Sequence, residues 1–316
     1  MKTRLFLLFI LATVFQYSFS QTTDLAPGDN LYVDGVPSIP QSIVQEVGRY
    51  TEFRSAGISS WHPKRHEMLI STRFGDVPQV HLVKFPGGAR TQLTFFPERV
   101  AGASFNPESE DHFVFSKDIG GGEWFQLYRF DIATGDVTLL TDGKSRNLMG
   151  PWSHDGKWIA YTSTRRNNKD VDIYIINPSD PSTDKMLLQL EGGGWGPHDW
   201  SPDGKTLLIE NGISVNESYL YLVDVATGEK KQFLPEASSE QVAFGGVQFS
   251  KDGKGVYLTS DNNSEFMRLQ YVELATKKAT VLTETINWDV NGFDLSPDGK
   301  SIVFVTNEDG ISVLHL

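Results

Sequence analysis

Short apolar runs recur along this chain, each preceded by a tight polar turn. Six of them read 68–72 (MLIST), 113–117 (FVFSK), 158–163 (WIAYTS), 207–211 (LLIEN), 256–260 (VYLTS) and 302–306 (IVFVT). They are too short and too rich in β-branched and aromatic residues for helices, and they lack clean alternation. That pattern suits strands whose two faces are both covered. The turn before four of them reads WSHDGK (152–157), WSPDGK (200–205), FSKDGK (249–254) or LSPDGK (295–300). Glycine there supplies the positive φ, and aspartate caps the bend. Counted on the large apolar residue before each turn, Trp61, Phe105, Trp152, Trp200, Phe249 and Leu295 are 44, 47, 48, 49 and 46 residues apart.

A third run follows in each unit, at 79–85, 125–131, 172–177, 219–224 and 268–274. A second turn and a fourth run follow it, at 137–141, 185–190, 230–234 and 279–283. A period in the forties built from four strands is the signature of a β-propeller. The fold predicted is therefore all-β, a β-propeller of four-stranded blades with five complete repeats and a partial sixth. The large apolar anchors are expected in the core. The stretch 46–55 (EVGRYTEFRS) is one source for the missing strand, and its pairing would close a six-bladed ring. The other reading is that the chain is part of a longer propeller.

The start of the chain has a different pattern. Lys2 and Arg4 precede an apolar run at 5–15, and a polar stretch ends in Ser18 and Ser20. The run is too short to span a bilayer, so residues 1–20 read as a secretory signal peptide cleaved after Ser20. Residues 21–45 read as an extended leader and residues 46–316 as the propeller. The expected location is the periplasm or the exterior. Without residues 1–20 the chain carries 26 basic against 40 acidic side chains, a balance of −14. Such a surface disfavours nucleic acid and anionic membrane as partners. The absence of cysteine excludes disulfides and thiol chemistry.

Candidate chemistry is sparse. The seven histidines, 62, 66, 81, 112, 154, 198 and 315, form no pair at metal-ligand spacing and read as isolated turn or surface residues. His198-Asp199 is the most suggestive neighbour pair, on an inner strand, but adjacent strand residues point to opposite faces. No Gly-x-Ser-x-Gly elbow is present, so no serine triad is assigned. The glycine-rich stretches 120–128 (GGGEWFQLY) and 191–196 (EGGGWG) lack the Lys-Ser/Thr of a phosphate loop and read as connections. No catalytic residue, metal or cofactor is expected. Trp124, Trp195 and Trp288 fall outside the core register and suit either a carbohydrate or peptide platform or inter-blade packing. Residues one before each anchor, namely Ser60, Ser104, Pro151, Asp199, Gln248 and Asp294, are candidates for the channel wall.

The stretches 49–96 (RYTEFRSAGISSWHPKRHEMLISTRFGDVPQVHLVKFPGGARTQLTFF) and 118–136 (DIGGGEWFQLYRFDIATGD) resemble the N-terminal propeller of secreted peptidases of the prolyl oligopeptidase family. The resemblance covers the chain after residue 45. It implies a propeller lid over an α/β-hydrolase domain that owns the catalytic triad and admits short peptides. That domain is absent from this sequence, so the role implied is substrate gating and docking. The paired glutamates that hold a peptide's amino end in dipeptidyl peptidases are also missing, since no Glu-Glu dipeptide occurs. Glu123 is the residue placed to do a similar job, with Asp118 in the same loop and Asp199 and Asp294 on the channel side as further substrate-binding candidates. The Ser-Pro-Asp-Gly-Lys units occur equally in Tol-system propellers. The alternative function is therefore a six-bladed Tol-type periplasmic propeller that binds a protein or peptide. A sugar- or lyase-type enzyme with its site in the channel is a third reading, but no cluster of His, Arg and Tyr can be assembled for it.

Overall fold

The computed structural model describes residues 24–26, 28, 31–236 and 241–316. The expected signal peptide lies outside the described residues. The chain divides into two units, residues 1–55 and 56–316. In the first, Asp24 and Pro40 form a single bridge and a helix runs over Gln41–Thr51. Its apolar side chains are all at least partly exposed. Part of the stretch expected to supply a propeller strand, residues 46–51, is thus helical.

The second unit is a six-bladed β-propeller. Blade 1 holds Gly57–Trp61, Met68–Thr72, Gln79–Val83 and Arg90–Gln92. Blade 2 holds Val100–Phe105, His112–Lys117, Gln126–Asp131 and Val137–Leu139. Blade 3 holds Asn147–Trp152, Ile159–Ser163, Asp172–Asn177 and Asp180–Leu188. Blade 4 holds Trp195–Trp200, Thr206–Ser214, Glu217–Asp224 and Lys230–Leu234. Blade 5 holds Phe244–Phe249, Gly255–Ser260, Arg268–Glu273 and Ala279–Val281. Blade 6 has three strands, Val290–Leu295, Ile302–Glu308 and Ile311–His315. Every sheet is an antiparallel meander, as its short turns require.

The core lies between blades rather than within them. Leu69, Val80 and Leu82 of blade 1 pack on Phe105, Phe113 and Phe115 of blade 2. Val114 faces the other way, into a cluster with Ile159 and Tyr161 of blade 3. Leu207 and Ile209 pack toward blade 3, whereas Leu208 packs toward blade 5. Both faces of the second strands are therefore buried, which is why their sequences do not alternate.

The repeated corner is a small hydrogen-bond unit. Ser201 Oγ donates to Asp203 Oδ1 at 2.7 Å and accepts the Thr206 N–H at 2.9 Å. Asp203 Oδ1 also accepts the Lys205 N–H, and Gly204 takes φ +70°. The same contacts recur at Ser153, Ser250 and Ser296. Blades 1 and 2 make the corner with other chemistry. His62 Nδ1 accepts the N–H groups of Lys64 and Arg65, and Asn106 Oδ1 accepts those of Glu108 and Ser109.

Neighbouring blades are latched through the residue before each anchor. Ser60 Oγ accepts the Phe105 N–H at 3.1 Å, and Ser104 Oγ accepts from Trp152 Nε1 at 3.2 Å. Trp200 Nε1 donates to the Pro151 carbonyl at 3.1 Å, and Asp199 Oδ2 accepts the Phe249 N–H at 2.8 Å. Gln248 Nε2 reaches the Phe293 carbonyl at 3.4 Å. These residues were expected on the channel wall; Ser60 and Ser104 do line a cavity shared by all six blades, and the polar groups named above also join blades, because the anchors of blades 2 to 5 pack on the blade before them. Asp294 is exposed, and its Oδ1 accepts the N–H of its neighbour Leu295.

The anchors Phe105, Trp200, Phe249 and Leu295 are buried as expected, while Trp152 is half-buried. Trp61 departs from the expectation, at 61% exposed. Its preceding blade around the ring is blade 6, and among the described residues no core cluster joins those two blades.

Candidate functional site

Two cavities sit at opposite ends of the propeller. At the corner end, a cavity of about 740 Å³ is lined by Trp61 and Ser60 of blade 1, Ser104 of blade 2, Trp152 and His154 of blade 3, Pro202, Lys251 and Pro297. All six blades contribute, so it lies on the ring axis. Several of the side chains here serve corners and latches. His154 Nε2, for example, lies 2.9 Å from the Trp200 carbonyl and 3.6 Å from Asp199 Oδ1.

At the loop end, a cavity of about 590 Å³ is walled by blades 2, 3 and 4. Blade 2 gives Trp124, from the loop between its second and third strands. Blade 3 gives Arg146 and Leu148 at the start of its inner strand, Thr162 and Thr164, and Asn168, Lys169 and Val171 from its loop. Blade 4 gives Gly193, Gly194, Trp195 and Gly196, and Glu210 from its second strand. The glycine-rich segments 120–125 and 191–194 are connections, as expected, while 126–128 and 195–196 lie in strands, and the two stretches bring two of the three off-register tryptophans to one cavity.

These walls are held by a specific clamp. Arg166 Nε donates to Asp172 Oδ2 at 2.9 Å, and its Nη2 donates to Asp170 Oδ2 at 3.1 Å and to the Leu190 carbonyl at 2.6 Å. Asp172 is fully buried, and its Oδ1 accepts the Leu190 N–H. Asp170 Oδ1 accepts the Gly192 N–H at 2.9 Å. The blade 3 loop and the glycine strip of blade 4 are therefore positioned by one guanidinium. Gly194 sits at φ +80°, where a Cβ would meet the Gly212 carbonyl oxygen at 2.2 Å, so no side chain fits. Trp195 is fixed by Nε1 donating to the Glu191 carbonyl at 3.0 Å, by the Tyr221 ring at 5.4 Å, and by Lys230 Nζ 4.3 Å from its ring centre. Burial holds the Lys230 ammonium below its ordinary range.

His198 finds a partner that sequence spacing concealed. A bulge between Pro197 and Asp199 breaks the alternation of the inner strand. It sets His198 Nε2 2.6 Å from Glu210 Oε2 on the neighbouring strand. Burial works against ionisation of Glu210, but the hydrogen bond and charge of His198 outweigh it and hold the carboxyl below its ordinary value. The sequence signal available was a polar Glu inside an otherwise apolar second strand.

The four expected substrate-binding residues are scattered. Asp118 is buried, and its Oδ2 accepts the Glu123 N–H at 2.8 Å, so it shapes the loop. Glu123 has φ +59° and an exposed carboxylate, 3.9 Å from Arg146 Nη2 at the edge of the loop-end cavity. Asp199 lies in the latch between blades 4 and 5, where burial pushes its carboxyl up although the Phe249 N–H opposes this. Asp294 is exposed on blade 6. Trp288 precedes blade 6, away from the cavity. Three histidines expected at turns or the surface, 62, 81 and 112, are buried instead. Among the described residues, no cluster of His, Asp and Glu is arranged to hold a metal ion. No helix among them is long and apolar enough to cross a membrane.

Fold and site together define a six-bladed β-propeller with a walled, aromatic-lined cavity at its loop end. No protein-family profile matches the chain. It is 26% identical over 181 residues to the uncharacterized peptidase YuxL of Bacillus subtilis, covering 57% of this chain and 25% of the relative. It is 24% identical over 228 residues to dipeptidyl aminopeptidase BIII of Pseudoxanthomonas mexicana, covering 68% and 30%. The chain thus spans less than a third of these relatives. Among solved structures, one from a study of two prolyl endopeptidases superposes with a TM-score of 0.62 at 14% identity, over 83% of this chain and 41% of that one. TolB from Acinetobacter baumannii superposes with a TM-score of 0.52 at 17% identity, over 87% and 67%. The resemblance to peptidase-associated and Tol-type propellers read from the sequence is borne out, and at these identities the structures speak to the fold alone.

Proposed function

We propose that this propeller is the substrate-gating and docking module of a secreted serine peptidase of the prolyl oligopeptidase family. Peptide cleavage itself belongs to an α/β-hydrolase domain outside these residues. The observation that carries this reading is the loop-end cavity. Its volume of about 590 Å³ suits a short peptide, and Trp124, Leu148 and Trp195 offer apolar surface beside exposed glycine backbone. A glycine-lined wall beside two tryptophans leaves room for an extended peptide chain against aromatic surface. Glu123 at the cavity edge supplies a carboxylate for a peptide's amino end.

Titration of the whole chain with tri- to pentapeptides, followed by calorimetry, tests the reading. Saturable binding that weakens in Trp195→Ala supports it, and no binding by any peptide of the set removes it. Unchanged affinity of Glu123→Ala for free-amino peptides removes the role of that carboxylate alone. Secretion is tested by the amino-terminal sequence of the exported protein, which should begin at Gln21.

A Tol-type module that docks a folded protein is the second reading. It is favoured by the larger share, 67%, of the TolB chain that the propeller covers. Binding to a folded partner at the axial cavity, blocked by substitution of Trp61, would select it.

A further inference from the structure

The loop-end cavity has an electrostatic character opposite to that of the chain. The sequence as a whole carries a net charge of −12. The ionisable residues lining this cavity are Arg146, Lys169 and Glu210. Glu210 already accepts from His198 at 2.6 Å, so its charge is compensated locally. The two cations are less tightly held. Arg146 is 51% exposed and approaches a carboxylate only at 3.9 Å, at Glu123. Lys169 is exposed and has no ion pair among the described residues.

Nearby cations behave differently. Arg165 and Arg166 are locked onto Asp184, Asp170 and Asp172 at 2.6 to 3.1 Å. The Arg166 clamp also sets the backbone that carries Lys169, with Asn167 Oδ1 accepting the Lys169 N–H at 3.1 Å. Lys169 and Arg146 thus stand on supported backbone, and both line the cavity beside Trp124 and Leu148. A guanidinium is matched in shape to a carboxylate, and an ammonium beside it adds attraction.

Resting on the docking role proposed above, we infer that this cavity recognises the free C-terminal carboxylate of a short peptide, through Arg146 and Lys169, with an apolar last side chain against Trp124 and Leu148. The peptides admitted are then those with a free carboxyl end, and internal segments of longer chains are disfavoured.

The test uses two peptides that differ in one group: N-acetyl-Ala-Ala-Phe with a free carboxylate, and the same peptide as its C-terminal amide. Acetylation removes the amino end, so any role of Glu123 is silent. Calorimetry on the whole chain should show the acid binding about tenfold or more tighter than the amide, the size of a lost charge-assisted contact. The double variant Arg146→Gln, Lys169→Gln should bind both peptides with the affinity wild type has for the amide. Both positions are exposed, and an unchanged melting temperature verifies that the variant is folded. Equal affinity for acid and amide in wild type overturns the inference, as does a preference that survives the double substitution. If neither acetylated peptide binds while Ala-Ala-Phe-amide with a free amino end does, the docking role stands and the carboxylate inference falls. If none of the three binds, both fall.

Discussion

His62 and Asn106 perform the same task with different atoms. Each sits directly after an anchor and accepts two backbone N–H groups, two and three residues on. His62 does so through Nδ1, which must be unprotonated. Burial, followed by the charge of Arg65, holds its pKa below the ordinary value of 6.5. A base with a depressed folded pKa stabilises the fold above its unfolded pKa, and that contribution is lost as the pH falls below about 6.5. His62→Asn keeps both acceptor contacts without a titrating group. Its denaturation midpoint should match wild type near neutrality and fall less steeply as the pH drops below about 6.5, with buried His81 and His112 also contributing to the slope. Identical pH profiles for the two proteins would count against this role. At the other corners serine is the hub. Ser250→Ala removes the donor to Asp252 and the acceptor for the Gly255 N–H, and should cost about 1–3 kcal/mol in denaturant unfolding.

At the scale of elements, the loop-end cavity depends on segments that lack regular structure but are closely tied. Arg166 joins the loop of blade 3 to the glycine strip of blade 4. Arg166→Ala leaves Asp172 as a buried carboxylate without its cation, a loss worth about 3–5 kcal/mol for buried pairs. Arg166 itself is partly solvent-accessible, so the lower part of that range is expected, together with weakened peptide binding in calorimetry. Gly194→Ala tests the strip directly. Left-handed φ costs an alanine about 1–2 kcal/mol, and its Cβ would clash with the Gly212 carbonyl. The expected outcome is a lower melting temperature with loss of the cavity's peptide affinity, while a variant that binds like wild type would show the strip to be dispensable.

Across the whole molecule, stability is unevenly distributed. Four core clusters join blades 1 through 5, and latch contacts continue to blade 6. Between blades 6 and 1 the regularity ends. Trp61 and Ile58 are each 61% exposed, and Asp294 accepts the N–H of Leu295 on its own strand. Regions with few buried apolar contacts open first. Amide hydrogen exchange should therefore be fastest in Gly57–Trp61 and in the three strands of blade 6, and slowest in the second strands of blades 2, 3 and 4. Uniform protection around the ring would contradict this distribution.

The propeller itself was legible from the chain. Strand positions such as Met68–Thr72 and Asp172–Asn177 coincide with the apolar runs, because a strand buried on both faces needs apolar residues at consecutive positions. The Asp-Gly corners were legible because positive φ leaves glycine as the residue of choice. The cavity was not legible. Trp124, Lys169 and Trp195 are brought together from three blades by a ring closure that no local spacing encodes. The pairing of His198 with Glu210 depends on a bulge, which shifts the facing of one residue without leaving a periodic trace. Asp199 and Ser60 are latches because a neighbouring blade presents an N–H at the right height. The sequence determined which residues form strands and where they turn, since those choices depend on neighbours in the chain. The tertiary structure decided which polar side chains hold the blades together and which face the cavity, because that depends on groups more than forty residues apart.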